Sequence, residues 1–175
     1  MSNPYSSSDQ QRVTISQDRT QRVRGMQIIT IGLMMGTLSF LTVALVINQA
    51  AIDGEPDILA WMGLGFAGLI FLVHLVVPGI VTSAALNQVN SEALRKADDD
   101  GRFAMLSPVY QTRLIIACAM LEGAAFFNLV AYIVDKYVGN VIAAVVLIIM
   151  IAVRFPTLSK VEFWVQDRAR EIEMR

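Results

Sequence analysis

Long apolar runs alternate with polar segments along this chain. Four runs are long enough to cross a bilayer as helices, because about 30 Å of hydrocarbon needs roughly 20 apolar residues. They predict helices at 26–47, 58–81, 114–134 and 138–153. The fourth run is short by this rule, and Tyr137 and Phe155 would extend it into the two membrane interfaces. The pattern predicts an all-α integral membrane four-helix bundle within residues 25–155.

Two polar segments precede and divide these runs. The leader, 1–24, is rich in Ser and Gln and almost free of large apolar residues, so we expect it to be disordered. The middle segment, 82–112, is expected to form a loop that first prolongs the second helix. Proline disfavours helix in the residue before it, so Ser107 and Pro108 predict a break ahead of the third helix.

The tail, 156–175, mixes apolar and charged residues along its length. This pattern favours a short amphipathic helix along the membrane surface, with Phe163 and Trp164 as interfacial anchors. A plain solvated tail is the alternative.

The composition also favours a membrane protein. Hydrophobic residues make up 55% of the chain and charged residues 17%, and the mean hydropathy is +0.54. A soluble domain of this size usually carries more charge. A secretory signal is the rival interpretation of the first run, but its polar leader and its apolar length exceed the usual signal-peptide pattern. We expect an uncleaved first membrane helix.

Positive charge is distributed unevenly. Of the fourteen lysines and arginines, only Lys136 lies outside the leader, the middle segment, the tail and the helix ends that adjoin them. Lys and Arg resist translocation, so this split predicts that both termini and the middle loop are cytoplasmic. We expect a multi-pass protein of the bacterial cytoplasmic (inner) membrane.

A weak internal repeat appears when residues 87 positions apart are compared. It aligns the first helix with the third and predicts two similar helical hairpins. Gly32 and Gly36 then meet Ala119 and Gly123. Small residues four positions apart let helix backbones approach closely in lipid, so these four are candidate helix-packing residues.

Glu122 places a carboxyl group inside the third apolar run. It lies about 13 Å of helix beyond Arg113, near the middle of the hydrocarbon. An acid there costs about 2.5 to 3.5 kcal/mol, so we expect the neutral, protonated form. Met35 stands at the corresponding position of the repeat, so the carboxyl group is not part of the pattern that the two hairpins share. His74 lies at a similar depth and is a candidate partner. The other candidate partners for the carboxyl group of Glu122 are Ser39, Thr42 and Asn128.

Glu122 and His74 each have a structural and a functional interpretation. Glu122 either makes a hydrogen bond between helices or carries an ion. His74 is either a core histidine bonded to a carbonyl or hydroxyl group, or a proton carrier. The chain has one histidine and one cysteine, Cys118, so no multi-cysteine metal site and no intramolecular disulfide is expected.

Two segments resemble the proteolipid c subunit of rotary ATP synthases, over residues about 61–134. The segment QTRLIIACAMLEGAAFFNLVAYIV resembles its second helix, and WMGLGFAGLIFLV resembles its glycine-rich first helix. By this resemblance a polar cytoplasmic loop joins the two helices, and Glu122 carries a proton or sodium ion. The whole chain, with its LEG helix and RFPT ending, also resembles a group of small bacterial four-helix membrane proteins, which implies a fold but no activity.

The sequence contains no nucleotide-binding loop, no Ser/His/Asp constellation and no acidic pair positioned for hydrolysis. We therefore expect no enzyme, cofactor or metal. The expected partners are the lipid bilayer and other protein chains, in a homo-oligomer or membrane complex, and not nucleic acid. We predict a structural or accessory subunit that associates through its small-residue helix faces. The alternative is an ion-translocating, proteolipid-like protein that uses Glu122.

Overall fold

The computed structural model describes residues 6–49 and 54–174, with side chains described from residue 17 onward. The regular secondary-structure elements in these ranges are all helices, which confirms the all-α prediction. The helices are α1 (Ser6–Ile47), α2 (Ile58–Leu86), α3 (Ser91–Lys96), α4 (Asp99–Asp135), α5 (Val138–Val153) and α6 (Leu158–Glu173).

Three helices of the described chain are long and apolar enough to cross a membrane: α1 from Gln17 onward, α2 and α4. The 16-residue α5 is about 24 Å long. It reaches the length of a span only together with α6, from which it is bent by 71°. Residues 6–49 and 54–174 therefore contain three candidate membrane spans, or four if the bent pair forms one.

The central helix is α4. α1, α2 and α5 each pack along it, and α3 and α6 pack against it as well. α1 and α2 both touch α5, yet they make no contact with each other within the described ranges. α4 and α5 thus hold the two outer helices together.

Each outer helix buries a narrow stripe that recurs every seven residues. In α1 the stripe comprises Val23, Thr30, Thr37 and Ala44. In α2 it comprises Ala60, Ala67 and His74. A seven-residue period is typical of helices that pack at a shallow crossing angle. From Ile28 onward in α1, and along α2, most of the remaining surface is apolar and exposed, as expected for helices in lipid.

The leader differs from the expected disorder, because α1 already begins at Ser6. Contacts at the end of the leader explain the difference. Val23 is buried, and Arg19 forms ion pairs with Asp100 of α4 and Glu162 of α6. These tertiary contacts stabilise the polar part of α1 around Arg19 and Val23, which composition alone would leave unfolded. Residues 1–5 lie outside the described residues.

The expected break at Ser107 and Pro108 is also not found, because α4 runs through both residues. Proline removes one backbone N–H from the helix and strains the turn before it. Burial of Phe103 and Leu106 on that side of the proline offsets this cost. The predicted middle loop therefore consists of the end of α2, the short α3 and the first turns of α4.

Only one of the two predicted hairpins is packed as a hairpin. α4 and α5 are joined by Lys136 and Tyr137 and lie against each other. α1 and α2 lie apart, because the small buried residues of α2 pack on α4 instead. A Cβ atom added to Gly63 would lie 3.4 Å from the Cβ of Ala131.

Candidate functional site

One face of α4 is left uncovered by the other helices. Its exposed residues recur at intervals of seven and four, which places them on a single stripe: Thr112, Ala119, Gly123, Val130 and Val134. Buried residues of the same helix, such as Cys118, Leu121 and Asn128, point the other way. The stripe is open because α1 and α2 do not meet over it.

Two aromatic pairs mark the sides of this open stripe. Phe40 of α1 packs on Phe126 of α4, with ring centroids 5.2 Å apart. Phe66 of α2 packs on Phe127 of α4, with ring centroids 5.4 Å apart. Since residues 126 and 127 lie on either side of the stripe through Gly123, α1 and α2 flank it.

The four small residues predicted to pack helices are all exposed: Gly32, Gly36, Ala119 and Gly123. A Cβ atom added to Gly32 or Gly123 would have no heavy atom of another element within 4 Å. One added to Gly36 would meet only Oε1 of Glu122, at 3.5 Å. Within one chain these residues therefore do not make close backbone contacts. Together they form an open surface on α1 and α4, here called the front face.

Glu122 lies at the edge of the front face. Its side chain is partly buried and turned toward α1, beside Gly36. It makes no hydrogen bond or ion pair with any residue of the described chain. The structural interpretation of Glu122 was a hydrogen bond to another helix. No such bond is formed within the described residues.

His74 is not brought to Glu122. The imidazole is buried on α2, and its Nδ1 lies 2.5 Å from the carbonyl oxygen of Phe71. A carbonyl oxygen only accepts, so Nδ1 carries the proton and donates it. Glu122 points from α4 toward α1. His74 belongs to α2, which flanks α4 on the other side of the open stripe. This is the arrangement of a core histidine bonded to its own helix.

A buried polar cluster that the sequence did not indicate joins α2, α4 and α5. Asn128 donates from Nδ2 to the carbonyl of Gly63 at 3.0 Å, and its Oδ1 accepts from Nδ2 of Asn140 at 3.0 Å. Asn140 also donates to the carbonyl of Ala60 at 3.2 Å. Asn128 was a candidate partner for Glu122, but the structure turns it to the opposite side of α4.

The same end of the helix arrangement carries two further polar contacts. Asn48, just after α1, donates to the carbonyl of Tyr132 at 2.9 Å. Asp135, the last residue of α4, accepts from the backbone N–H of Ala60 at 2.7 Å. The first contact adds a second donor to a carbonyl that already accepts the backbone N–H of Lys136. The second satisfies an amide in the first turn of α2 that has no partner within its helix. Both therefore fix the ends of α1 and α2 on α4.

The other end of the arrangement is charged. Arg19 pairs with Asp100 and Glu162, and its guanidinium lies 5.3 Å from the ring centroid of Phe103. Arg102 of α4 pairs with Glu173 of α6 at 2.5 Å. These ion pairs tie α1, α4 and α6 together. No pattern in the sequence indicated which residues would pair, because the partners lie far apart along the chain.

A basic pocket of about 260 Å³ opens at this charged end, where α4, α5 and α6 meet. It is lined by Tyr110, Arg113, Leu114, Val153, Arg154 and Lys160. The ring of Tyr110 packs against Trp164, with centroids 5.4 Å apart. Trp164 is thus buried rather than anchored in the interface, and only Phe163 of the two expected anchors is exposed.

Comparison with known protein families, curated proteins and solved structures finds no match to this chain.

Proposed function

We propose that this chain is a structural or accessory subunit of an inner-membrane assembly, and that its front face packs against the front face of a second copy. The observation that carries this proposal is the exposure of four small residues on two adjacent helices, with no element of the described chain over them. We assign no enzymatic activity. Both termini are proposed to be cytoplasmic, as the distribution of lysine and arginine indicates.

Small residues four positions apart favour helix association in lipid. Helices gain no hydrophobic free energy by leaving lipid for each other, so close backbone contact has to supply the attraction. Ala119 and Gly123 offer such contact on α4, and Gly32 and Gly36 offer it on α1. Copies in one membrane share the same orientation, so a two-fold axis along the membrane normal brings identical faces together at equal depth.

Glu122 supports the same assignment. A carboxyl group in hydrocarbon without a hydrogen-bond partner is costly even when it is protonated. Its position beside Gly36 means that a helix docked on the front face would cover it. A second copy docked there would shield the carboxyl group from lipid.

The oligomeric mass in mild detergent tests this proposal. Gly123→Leu adds a large side chain to the front face, whereas Gly65→Leu adds the same side chain to an exposed position of α2 that also has nothing within 4 Å. The wild type and Gly65→Leu should give a dimer or larger oligomer by native mass spectrometry, and Gly123→Leu a monomer. A monomeric wild type, or a different co-purifying chain in its place, would refute the second-copy assignment.

Ion translocation by Glu122 is the second candidate function. It is favoured by the same open position, because an ion carrier has to be reached from outside the chain and Glu122 is not sealed by other helices. The test is proton flux into proteoliposomes that contain the wild type or Glu122→Gln. Flux above the level of empty liposomes, lost in Glu122→Gln, would support this candidate. Equal background flux from both would exclude it.

A further inference from the structure

The basic pocket between α4, α5 and α6 holds positive charge that the described chain does not neutralise. Arg113 and Arg154 are both partly buried, and neither forms an ion pair or a side-chain hydrogen bond with a described residue. Arg154 and Arg168 also lie close enough to Arg113 to repel its charge. Of these three only Arg168 is paired, with Glu171. Within the described chain only one carboxylate, Glu171, lies among these three partly buried arginines, so the cluster keeps an excess of positive charge that favours a bound anion.

The remaining polar groups of the pocket are donors or are free to donate. The ammonium group of Lys160 lies 3.1 Å from the carbonyl of Phe155 and 3.4 Å from that of Val153. These contacts hold it at the pocket and leave one of its three N–H donors unused. The hydroxyl of Tyr110 has no hydrogen-bond partner among the described residues. No carboxylate lines the pocket.

The pocket lies at a level along the helix axes that corresponds to the headgroup region of a bilayer. Arg113 immediately precedes the apolar run of α4, and Arg154 immediately follows the apolar run of α5. Both runs therefore end at the same level, where hydrocarbon gives way to the polar interface. The predicted orientation places this level in the cytoplasmic leaflet, which carries the anionic lipids.

An apolar track leads away from the pocket toward the opposite end of α5. Val153, Ile149, Val146 and Ile142 recur at intervals of four, three and four residues, so they lie on one side of the helix. All four are at least half exposed, and Val153 also lines the pocket. A phosphate bound at the arginines would therefore have an aliphatic surface beside it for acyl chains, which a free phosphate ion does not need.

We propose that Arg113, Arg154 and Lys160 bind the phosphate of an anionic phospholipid of the cytoplasmic leaflet, with its acyl chains along the exposed track of α5. Arginine suits this ligand because its planar fork donates two parallel hydrogen bonds to phosphate oxygens. The bound lipid would neutralise the pocket and join the bend between α5 and α6 to α4.

The test uses the full chain purified in mild detergent. Phosphatidylglycerol, phosphatidylcholine and inorganic phosphate are titrated separately, with bound lipid counted by native mass spectrometry and the thermal midpoint recorded. Phosphatidylglycerol should bind at least about tenfold more tightly than phosphatidylcholine and raise the midpoint, because only the first carries net negative charge. Inorganic phosphate at equal concentration should leave the midpoint unchanged. A rise with phosphate as large as with phosphatidylglycerol would overturn the lipid assignment and indicate a site for a free anion.

Two pairs of substitutions separate the pocket from general electrostatic attraction. The double variant Arg113→Gln, Arg154→Gln should bind phosphatidylglycerol about tenfold or more weakly, since each arginine contributes a charge-assisted hydrogen bond. The control Arg95→Gln, Lys96→Gln removes the same charge from exposed positions of α3 and should bind as the wild type does. An equal loss in both would overturn the proposal, as would no loss in the first. If the arginine double variant does not fold, Lys160→Gln alters an exposed side chain, and unchanged affinity in it would contradict the assignment.

Discussion

The side-chain amides of Asn128 and Asn140 hydrogen-bond to each other at 3.0 Å while both are fully buried between α4 and α5. The carbonyls of Gly63 and Ala60 accept from the same two amides, so the pair also fixes the position of α2. A hydrogen bond of this kind contributes about 0.6 kcal/mol on average between membrane helices. Its larger effect is on specificity, because the carbonyls of Gly63 and Ala60 have to lie opposite the two Nδ2 groups, which restricts the register of α2.

Gly63→Ala should destabilise the fold. A Cβ atom at this position would lie 2.6 Å from Nδ2 of Asn140 and 3.1 Å from Oδ1 of Asn128, so the asparagine pair has to shift. We expect a loss of about 1 to 3 kcal/mol in the free energy of unfolding, measured by denaturant titration in mixed micelles. Gly65→Ala is the matched control, since its Cβ would meet nothing within 4 Å. Equal stability of the two variants would show that α2 does not pack on α4 at Gly63.

Arg19→Gln should loosen α1 from α4 and α6. The substitution leaves Asp100 and Glu162 without their cation and removes the packing on Phe103. Because the pair is partly solvated, we expect a loss of roughly 1 to 2 kcal/mol, measured by the same titration. Arg22→Gln is the control, since its exposed i, i+4 pair with Asp18 contributes at most about 0.5 kcal/mol. Similar losses in both would argue against a tertiary role for Arg19.

Membrane orientation can be read from thiol labelling in intact cells. Glu55 and Asp99 are both exposed and lie at opposite ends of the helix arrangement. The native Cys118 is fully buried, so it should contribute little background. With an impermeant maleimide, Glu55→Cys should react in intact cells, and Asp99→Cys only after permeabilisation. Labelling of Asp99→Cys but not Glu55→Cys in intact cells would reverse the assigned topology.

Glu122→Gln should leave the stability of the isolated monomer almost unchanged. The carboxyl group makes no hydrogen bond within the described chain, and Gln retains its size and its ability to donate. Thermal unfolding in a detergent that keeps the chain monomeric should agree with the wild type to within about 0.5 kcal/mol. A loss of several kcal/mol would mean that Glu122 has a partner within its own chain.

The sequence predicted the all-helical class and the candidate spans because both depend on local apolar length. α2, for example, begins at Ile58, the first residue of its predicted apolar run. α1 begins at Ser6 and α4 at Asp99, well before the apolar runs that start at 26 and 114, and these polar extensions were not predictable from apolar length. Polar helix is retained there by contacts with residues distant along the chain, such as those of Arg19 with Asp100 and Glu162.

The position of a residue along its helix axis follows from counting residues. The neighbouring helix toward which its side chain points does not, and was harder to predict. Glu122 and His74 have similar calculated depths, which made them candidate partners. Their side of α4 depends on how α1 and α2 are arranged, and the hairpin expected for those two helices is not formed. The contact between Asn128 and Asn140 was not predictable for the same reason, because it depends on how α5 packs against α4.

Disulfide formation at position 123 tests the meeting of two front faces most directly. A Gly123→Cys chain carries one exposed thiol besides the buried Cys118, and two-fold packing places the two copies of residue 123 side by side. Gly65→Cys is the control, because Gly65 lies between the buried Gly63 and Ala67 and therefore points away from α4. Oxidation in native membranes should convert most of Gly123→Cys to a covalent dimer and leave Gly65→Cys monomeric. A Gly123→Cys chain that stays monomeric, or equal dimer yields at both positions, would contradict the proposed assembly.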